Sequence, residues 1–245
     1  MPGTRSVLAA TCSGLAACAV LAGCAATPVD DRPVVRIAEA AAPSPAVALG
    51  GFLPTAPELA AELGTGPAGL LGEPVEGAAE LLLRSVDETQ AAPADCVSAP
   101  YRLQDIVYDG SPVRSVATNT WAGGGFDGPP VTGYFGIVQM SSETAAAEFF
   151  ATLAESWHRC NGQTVARQQP EELSRITEVA LEREIVSASI LHAAHGTAAP
   201  DGLRAVGVAG DCIIEVELTD PRATSDRRGA VGVANLILAK IEQRR

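Results

Sequence analysis

Four groups of residues in this chain have types and spacings that could carry chemistry. Leu21-Ala22-Gly23-Cys24 ends an apolar run that opens the sequence. Small residues ahead of a cysteine at that place form a lipobox: a signal peptidase cuts before Cys24, whose thiol then carries a diacylglycerol. His192 and His195, two of the three histidines, could share a metal only if the chain turns between them, because strand residues three apart point to opposite faces. Glu182 with Glu184, and Glu215 with Glu217, stand two apart, so on strands each pair lines one face. A carboxylate pair can serve hydrolysis, although acids that alternate along a strand usually form its solvated side. Cys96, Cys160 and Cys212 remain once Cys12 and Cys18 leave with the leader and Cys24 is acylated. In an oxidising compartment these three give one disulfide and one leftover thiol.

Other chemistry finds little support. None of the remaining cysteines is spaced C-x-x-C, which argues against a zinc ribbon. No Gly-x-Ser-x-Gly elbow accompanies the histidines to suggest a Ser-His-Asp triad. Gly123-Gly124-Gly125 lacks the strand-to-helix setting of a phosphate loop. His158 falls late in an expected helix and faces solvent. We therefore expect no catalytic residue, no metal and no cofactor.

The lead has the parts of a secretory signal. Arg5 and the amino terminus supply positive charge, and Ser6 to Leu21 is mostly small or apolar. That run is shorter than the ~20 apolar residues needed to span hydrocarbon. Acyl chains contribute about 0.8 kcal/mol per buried CH₂, so two or three on Cys24 would anchor the protein to the lipid bilayer. Residues 24–51 carry Pro28, Pro33, Pro43 and Pro45 without sustained periodicity, which reads as a flexible tether. The expected organisation is a leader over 1–23, a tether over 24–51 and one folded domain over 52–245. The net charge is −12, and Lys240 is the single lysine among 17 basic residues. An acidic surface argues against nucleic acid as a partner. The preference for Arg, with abundant Ala, Gly and Pro, looks like a GC-rich actinobacterial genome.

The elements that must position any site follow from periodicity. Thr55-Ala56-Pro57-Glu58 opens a short helix that Gly64 ends. Ile106-Val107-Tyr108 and Val113 to Trp121 read as strands parted by a turn at Asp109-Gly110-Ser111-Pro112, and Val131 to Met140 as a further strand. A helix runs from Glu143 to Arg159 with Ala146, Phe149, Phe150, Leu153, Trp157 and Cys160 on one face. Strands follow at Thr164–Gln168, Ile176–Leu181, Glu184–Ala193, Leu203–Ala209 and Cys212–Leu218, the last three as an antiparallel meander. Asp226 is placed to cap a final helix with Val233, Leu236, Ile237 and Ile241 as its buried stripe. The fold class expected is α+β, an antiparallel sheet with helices packed on one face.

Several of these stretches together resemble the PknH-like extracellular sensor domain. They are Leu53-Pro54 with the short helix, Pro93-Ala94-Asp95-Cys96, Val107-Tyr108-Asp109-Gly110-Ser111, Ala145 to Phe150 followed by Trp157-His158-Arg159-Cys160, and Arg204 to Val208. The resemblance covers nearly all of 52–245. It implies a stand-alone lipoprotein form of that domain, held on the outer side of the cell membrane, with a cleft for an unidentified small-molecule or lipid ligand. It also implies a Cys96–Cys160 disulfide, leaving Cys212 as a buried thiol. The family's second bridge has no counterpart here, because Gly202-Leu203 and Leu218-Thr219 stand where its cysteines would fall. Sensing or carrying a ligand is the expected role; the alternative is an envelope hydrolase using the carboxylates or histidines above.

Overall fold

Strand side chains alternate between two sides, and here the central strands are apolar on both, so the sheet has to be covered twice. The computed structural model describes residues 48–244, apart from 66–68, 88, 125–129, 169–170, 195–196, 199–201 and 223–227. The leader, Cys24 and the tether up to residue 47 lie outside the described residues, as do His195 and Asp226. In chain order the elements are α1 (Ala56–Leu63), β1 (Gly69–Leu71), β2 (Val75–Gly77), β3 (Ala91–Ala92), α2 (Asp105–Tyr108), β4 (Val113–Gly123) and β5 (Val131–Met140). They continue with α3 (Glu143–Cys160), β6 (Thr164–Arg167), β7 (Glu172–Glu182), β8 (Ile185–Ala194), β9 (Thr197–Ala198), β10 (Gly202–Ala209), β11 (Cys212–Thr219) and α4 (Arg228–Gln243).

The strands form one sheet in the order β1-β4-β5-β11-β10-β8-β7-β6-β3, with β2 beside β4 and β9 beside β8. Each of these ladders is antiparallel. The α+β class and the meander of β8, β10 and β11 are thus as expected. The helices, however, do not share one face. Ile137 and Val138, Ala205 and Val206, and Ile213 and Ile214 are neighbours in sequence, yet in each pair the two residues enter different cores. Val138, Val206 and Ile213 pack with Phe150, Leu153 and Trp157 of α3. Ile137, Ala205 and Ile214 pack with Val233, Ile237 and Ile241 of α4 and with Leu59 and Leu63 of α1. Apolar residues on both sides of a strand require two covering layers.

Regular structure is already present before residue 52. A 3₁₀ turn at Leu49–Phe52 buries Leu49 in the α4-side core, so Leu49 belongs to the fold rather than to the tether. α1 starts as its sequence predicts: the Thr55 amide and hydroxyl both donate to Glu58 Oε2, at 2.7 and 2.8 Å, and Gly64 ends the helix at φ +60°. Residues 106–108 form a short helix, not a strand. Just before it, Gln104 makes an isolated parallel bridge with Leu83, whose amide donates to Leu103 O and whose carbonyl accepts from the Asp105 amide.

Candidate functional site

On the α3 side of the sheet, α3 shares the core with residues 82–91 and with the segment 94–112, whose regular structure is a 3₁₀ turn and the one-turn α2. A buried ion pair fixes that segment. Arg204 on β10 and Glu215 on β11 are 1% and 3% exposed, and their side chains meet at 2.7 Å. Arg204 also donates to Ala99 O and Ser98 O, while Glu215 accepts from the Leu103 amide at 3.0 Å and the Tyr108 hydroxyl at 2.6 Å. Burial, with the Glu215 charge beside it, pushes the Tyr108 phenol well above its ordinary pKa. Leu103 adopts φ +49°, and its side chain sits over Gly136 of β5, where a Cβ would lie 2.7 Å from Leu103 Cδ1. At the α3 end, Trp157 Nε1 donates to Ser98 Oγ at 3.0 Å, and a disulfide joins Cys96 to Cys160 with Cα atoms 5.6 Å apart. Cys212 is buried on the opposite side, its thiol 3.4 Å from Asp211 Oδ1.

The two larger of the cavities described beside the pinned segment differ in lining, and a smaller one of about 300 Å³ lies at Asp105, Ile106 and Asp109. The largest, about 570 Å³, lies between that segment and α3. Val97, Ile106, Val107, Phe149 and Leu153 give it an apolar floor, and Asp95, Asp109, Glu148 and Ser156 add polar groups. Phe149, expected in the core stripe, is only partly buried and stacks on Tyr108 with ring centroids 4.7 Å apart. The second cavity, about 440 Å³, is lined by Leu83, Pro100 and Ala194 together with a group of charged side chains. Its walls include Tyr101, Arg102, Arg167, Glu172, His192 and Glu217. Arg167 pairs with Glu172 and Arg102 with Glu217, both at 2.7 Å. The carboxyl of Glu172 is held below the usual glutamate range, chiefly by its hydrogen bond with His192 and further by the Arg167 charge, against the opposing effect of burial.

The carboxylates and histidines singled out by spacing are dispersed. Glu182 and Glu184 are exposed, and Glu184 lies in the turn before β8, so the solvated-face reading holds for that pair. It fails for the other pair: Glu215 is buried under the segment, and Glu217 is half-buried against Arg102. His158 is exposed on α3. His192 Nδ1 lies 3.0 Å from Ser174 Oγ and 3.3 Å from Glu172 Oε1. A charge-relay triad needs the nucleophile and the acid on different ring nitrogens; here both share Nδ1. Gly123 and Gly124 lead from β4 towards β5, a strand-to-strand setting. Among the described residues no group of three or more His, Cys, Asp or Glu is placed to hold a metal ion.

The family profile of the PknH-like extracellular domain matches residues 44–240, most of the sequence and nearly all of the described fold. The chain belongs to that family. The solved extracellular domain of PknH from Mycobacterium tuberculosis superposes with a TM-score of 0.63 at 19% identity, over 79% of this chain and 94% of that one, which shows the same fold. An uncharacterised protein of Mycobacterium smegmatis, the Rv0999 ortholog, reaches a TM-score of 0.38 at 12% identity over 75% and 94%, too slight to bear on fold or function. No curated protein is similar enough to count as a match. The Cys96–Cys160 bridge implied by the resemblance is present. The places where a second family bridge would fall are cross-strand neighbours here, Gly202 opposite Thr219 and Leu203 opposite Leu218, so the β10–β11 ladder already joins them.

Sequence reasoning missed Arg204, Arg102 and Arg167 as site-forming residues. Arg204 carried a usable signal, a charge inside the apolar run Leu203 to Ala209. Gly136 carried another, since a glycine inside a strand often marks the close approach of another chain segment.

Proposed function

We propose that this protein is an extracytoplasmic sensor or carrier module, held to the membrane through acylated Cys24, that binds a small amphipathic molecule in the cleft between α3 and residues 94–112. The observation that carries this reading is the 570 Å³ cleft itself: an apolar floor, a few polar groups, and a wall fastened to α3 by the Cys96–Cys160 bridge. Such a concave, largely apolar and preformed site is the usual form of a small-molecule pocket. Membership of an extracellular domain family and a disulfide both suit an oxidising, external compartment. The role is binding rather than catalysis, because Glu215 and Glu217 pin the fold, His192 shares its Nδ1 between two partners, and Glu182 and Glu184 stand exposed and line neither cavity.

Native mass spectrometry of the chain purified from its own host tests the ligand. A discrete added mass that is lost in Phe149→Ala supports the cleft; no added mass, or one that Phe149→Ala retains, overturns it. Labelling with a fatty-acid analogue tests the anchor separately. Wild type should take up label and partition into detergent, and Cys24→Ala should do neither; label on the alanine variant would sink the lipoprotein assignment.

A further inference from the structure

We propose that the 440 Å³ cavity is a second ligand site, separate from the cleft, and that it takes a small zwitterion with the chemistry of a free α-amino acid. Its charged walls carry two fixed cations, Arg102 and Arg167, and two fixed anions, Glu172 and Glu217. Those four side chains sum to zero charge. A net anion or cation entering such a site meets one like charge for each opposite one, whereas a zwitterion can turn each of its ends to the complementary wall.

The unspent hydrogen-bonding groups fit that ligand. Arg167 uses Nη2 on Glu172, and among the described residues its Nη1 makes no hydrogen bond. Glu217 uses Oε1 on Arg102, and its Oε2 makes none. Among the described residues Nε and Nη1 of Arg167 and Nε and Nη2 of Arg102 make no hydrogen bond, nor does Glu217 Oε2, so the side chains lining this space offer donors to a ligand carboxylate and an acceptor to a ligand ammonium. Both arginines are pre-positioned: Arg102 lies 3.6 Å over the Tyr134 ring and Arg167 lies 5.4 Å from that of Tyr101. Tyr101 and Arg102 are consecutive, which ties the two ion pairs together. Gly202 leaves room for His192, since a Cβ there would lie 3.1 Å from Nε2. That nitrogen makes no hydrogen bond among the described residues.

Isothermal titration calorimetry on the full chain in detergent, with L-alanine, L-glutamine and L-phenylalanine as probes, tests the proposal. At least one of the three should bind. Its N-acetyl derivative and its methyl ester, each lacking one charge, should bind at least about tenfold more weakly. Arg167→Gln and Glu217→Gln should each give a similar loss, and Phe149→Ala, in the other cavity, should give none. The blocked ligands need no variant, so a misfolded Arg167→Gln protein leaves the test intact. Absence of binding by all three probes, equal binding of the blocked forms, or loss of binding in Phe149→Ala would each overturn the assignment.

Discussion

On the α4 side of the sheet, Ile137, Ala205, Ile214 and Val216 meet Val233, Ile237 and Ile241 in apolar packing. On the α3 side, one residue along the same strands, the chain buries Arg204 and Glu215, satisfies a tyrosine hydroxyl and a backbone amide with them, and leaves the two larger cavities open. The difference lies in what covers each side. A helix satisfies its own backbone polar groups and needs only an apolar stripe to dock. An irregular segment such as 94–112 has backbone groups that must find partners elsewhere, and buried side chains of the sheet supply them. The polar face is therefore the one where the backbone is free to shape a pocket.

Substitutions at the two centres should separate these modes. Arg204→Ala removes one partner of a pair that is almost wholly buried, leaving Glu215 charged and the carbonyls of Ser98 and Ala99 without their donor. We expect a loss of about 3–5 kcal/mol in denaturant unfolding, together with loss of protection from hydrogen exchange over 97–108. Ile237→Ala on the α4 side should cost about 2–4 kcal/mol from transfer and cavity terms. It should leave exchange in 97–108 and ligand binding on the α3 side unchanged. If Ile237→Ala also loosened 97–108 at matched stability, the two faces would not be independent in the sense argued above.

A smaller effect is expected where α1 meets the apolar layer. Thr55 holds Glu58, and Glu58 Oε2 also accepts from Lys240 Nζ at 2.6 Å, linking the start of α1 to α4. Thr55→Ala should cost about 1 kcal/mol, the usual worth of a helix cap. Thermal unfolding of the variant checks it, and a loss as large as that of Ile237→Ala would mean that the contact with α4 carries more of the stability than packing does.

Much of this arrangement was legible in the sequence, and what was not has a common cause. Repetition at three and four residues located α3: Ala146, Phe150, Leu153, Trp157 and Cys160 of the expected stripe are buried, Phe149 only partly, and Ala154 is buried as well. Strand alternation and turn residues located β5 at the bounds expected and β10 and β11 to within a residue. Local pattern failed wherever a distant residue decides. Ile106 and Val107 look like strand residues, yet they form a helical turn beside Tyr108, whose bond reaches 107 positions along the chain to Glu215. Glu215 and Glu217 alternate as a solvated edge would, yet the side they face is covered by a segment more than 100 residues earlier. The two-sided core was visible in Ile213-Ile214 and Ile137-Val138, adjacent apolar residues that a one-sided sheet would not require. The polar cavity was not visible, because its charges come from four separate stretches of the chain.

The smallest effect we expect belongs to that cavity, and its sign follows from Glu172. The hydrogen bond with His192 lowers the Glu172 pKa most among the favourable contributions, and the Arg167 charge and Ser174 hydroxyl lower it further while burial opposes them. Tyr101, a further titratable group beside it along with His192, has its phenol raised by burial and by the Glu172 charge, so it stays neutral throughout. A carboxyl whose folded pKa lies below its unfolded value, about 4.3 for glutamate, binds fewer protons when folded than when unfolded in the window between the two. Its stabilising contribution is fully present above that unfolded value and is lost as pH falls through the folded one. Glu172→Gln places a neutral, near-isosteric group where the protonated acid would sit. Wild type should therefore be the more stable at about pH 6, and the gap should narrow as pH falls below the unfolded value. Urea midpoints for both proteins from about pH 6 to about pH 3 measure it. The partial exposure of the pair keeps the effect small. A gap of constant size from pH 6 to pH 3 would mean that the glutamine perturbs packing rather than charge. The ion pairs of the polar cavity would then be no more than incidental surface contacts, unlike the buried pair that shapes the rest of that face.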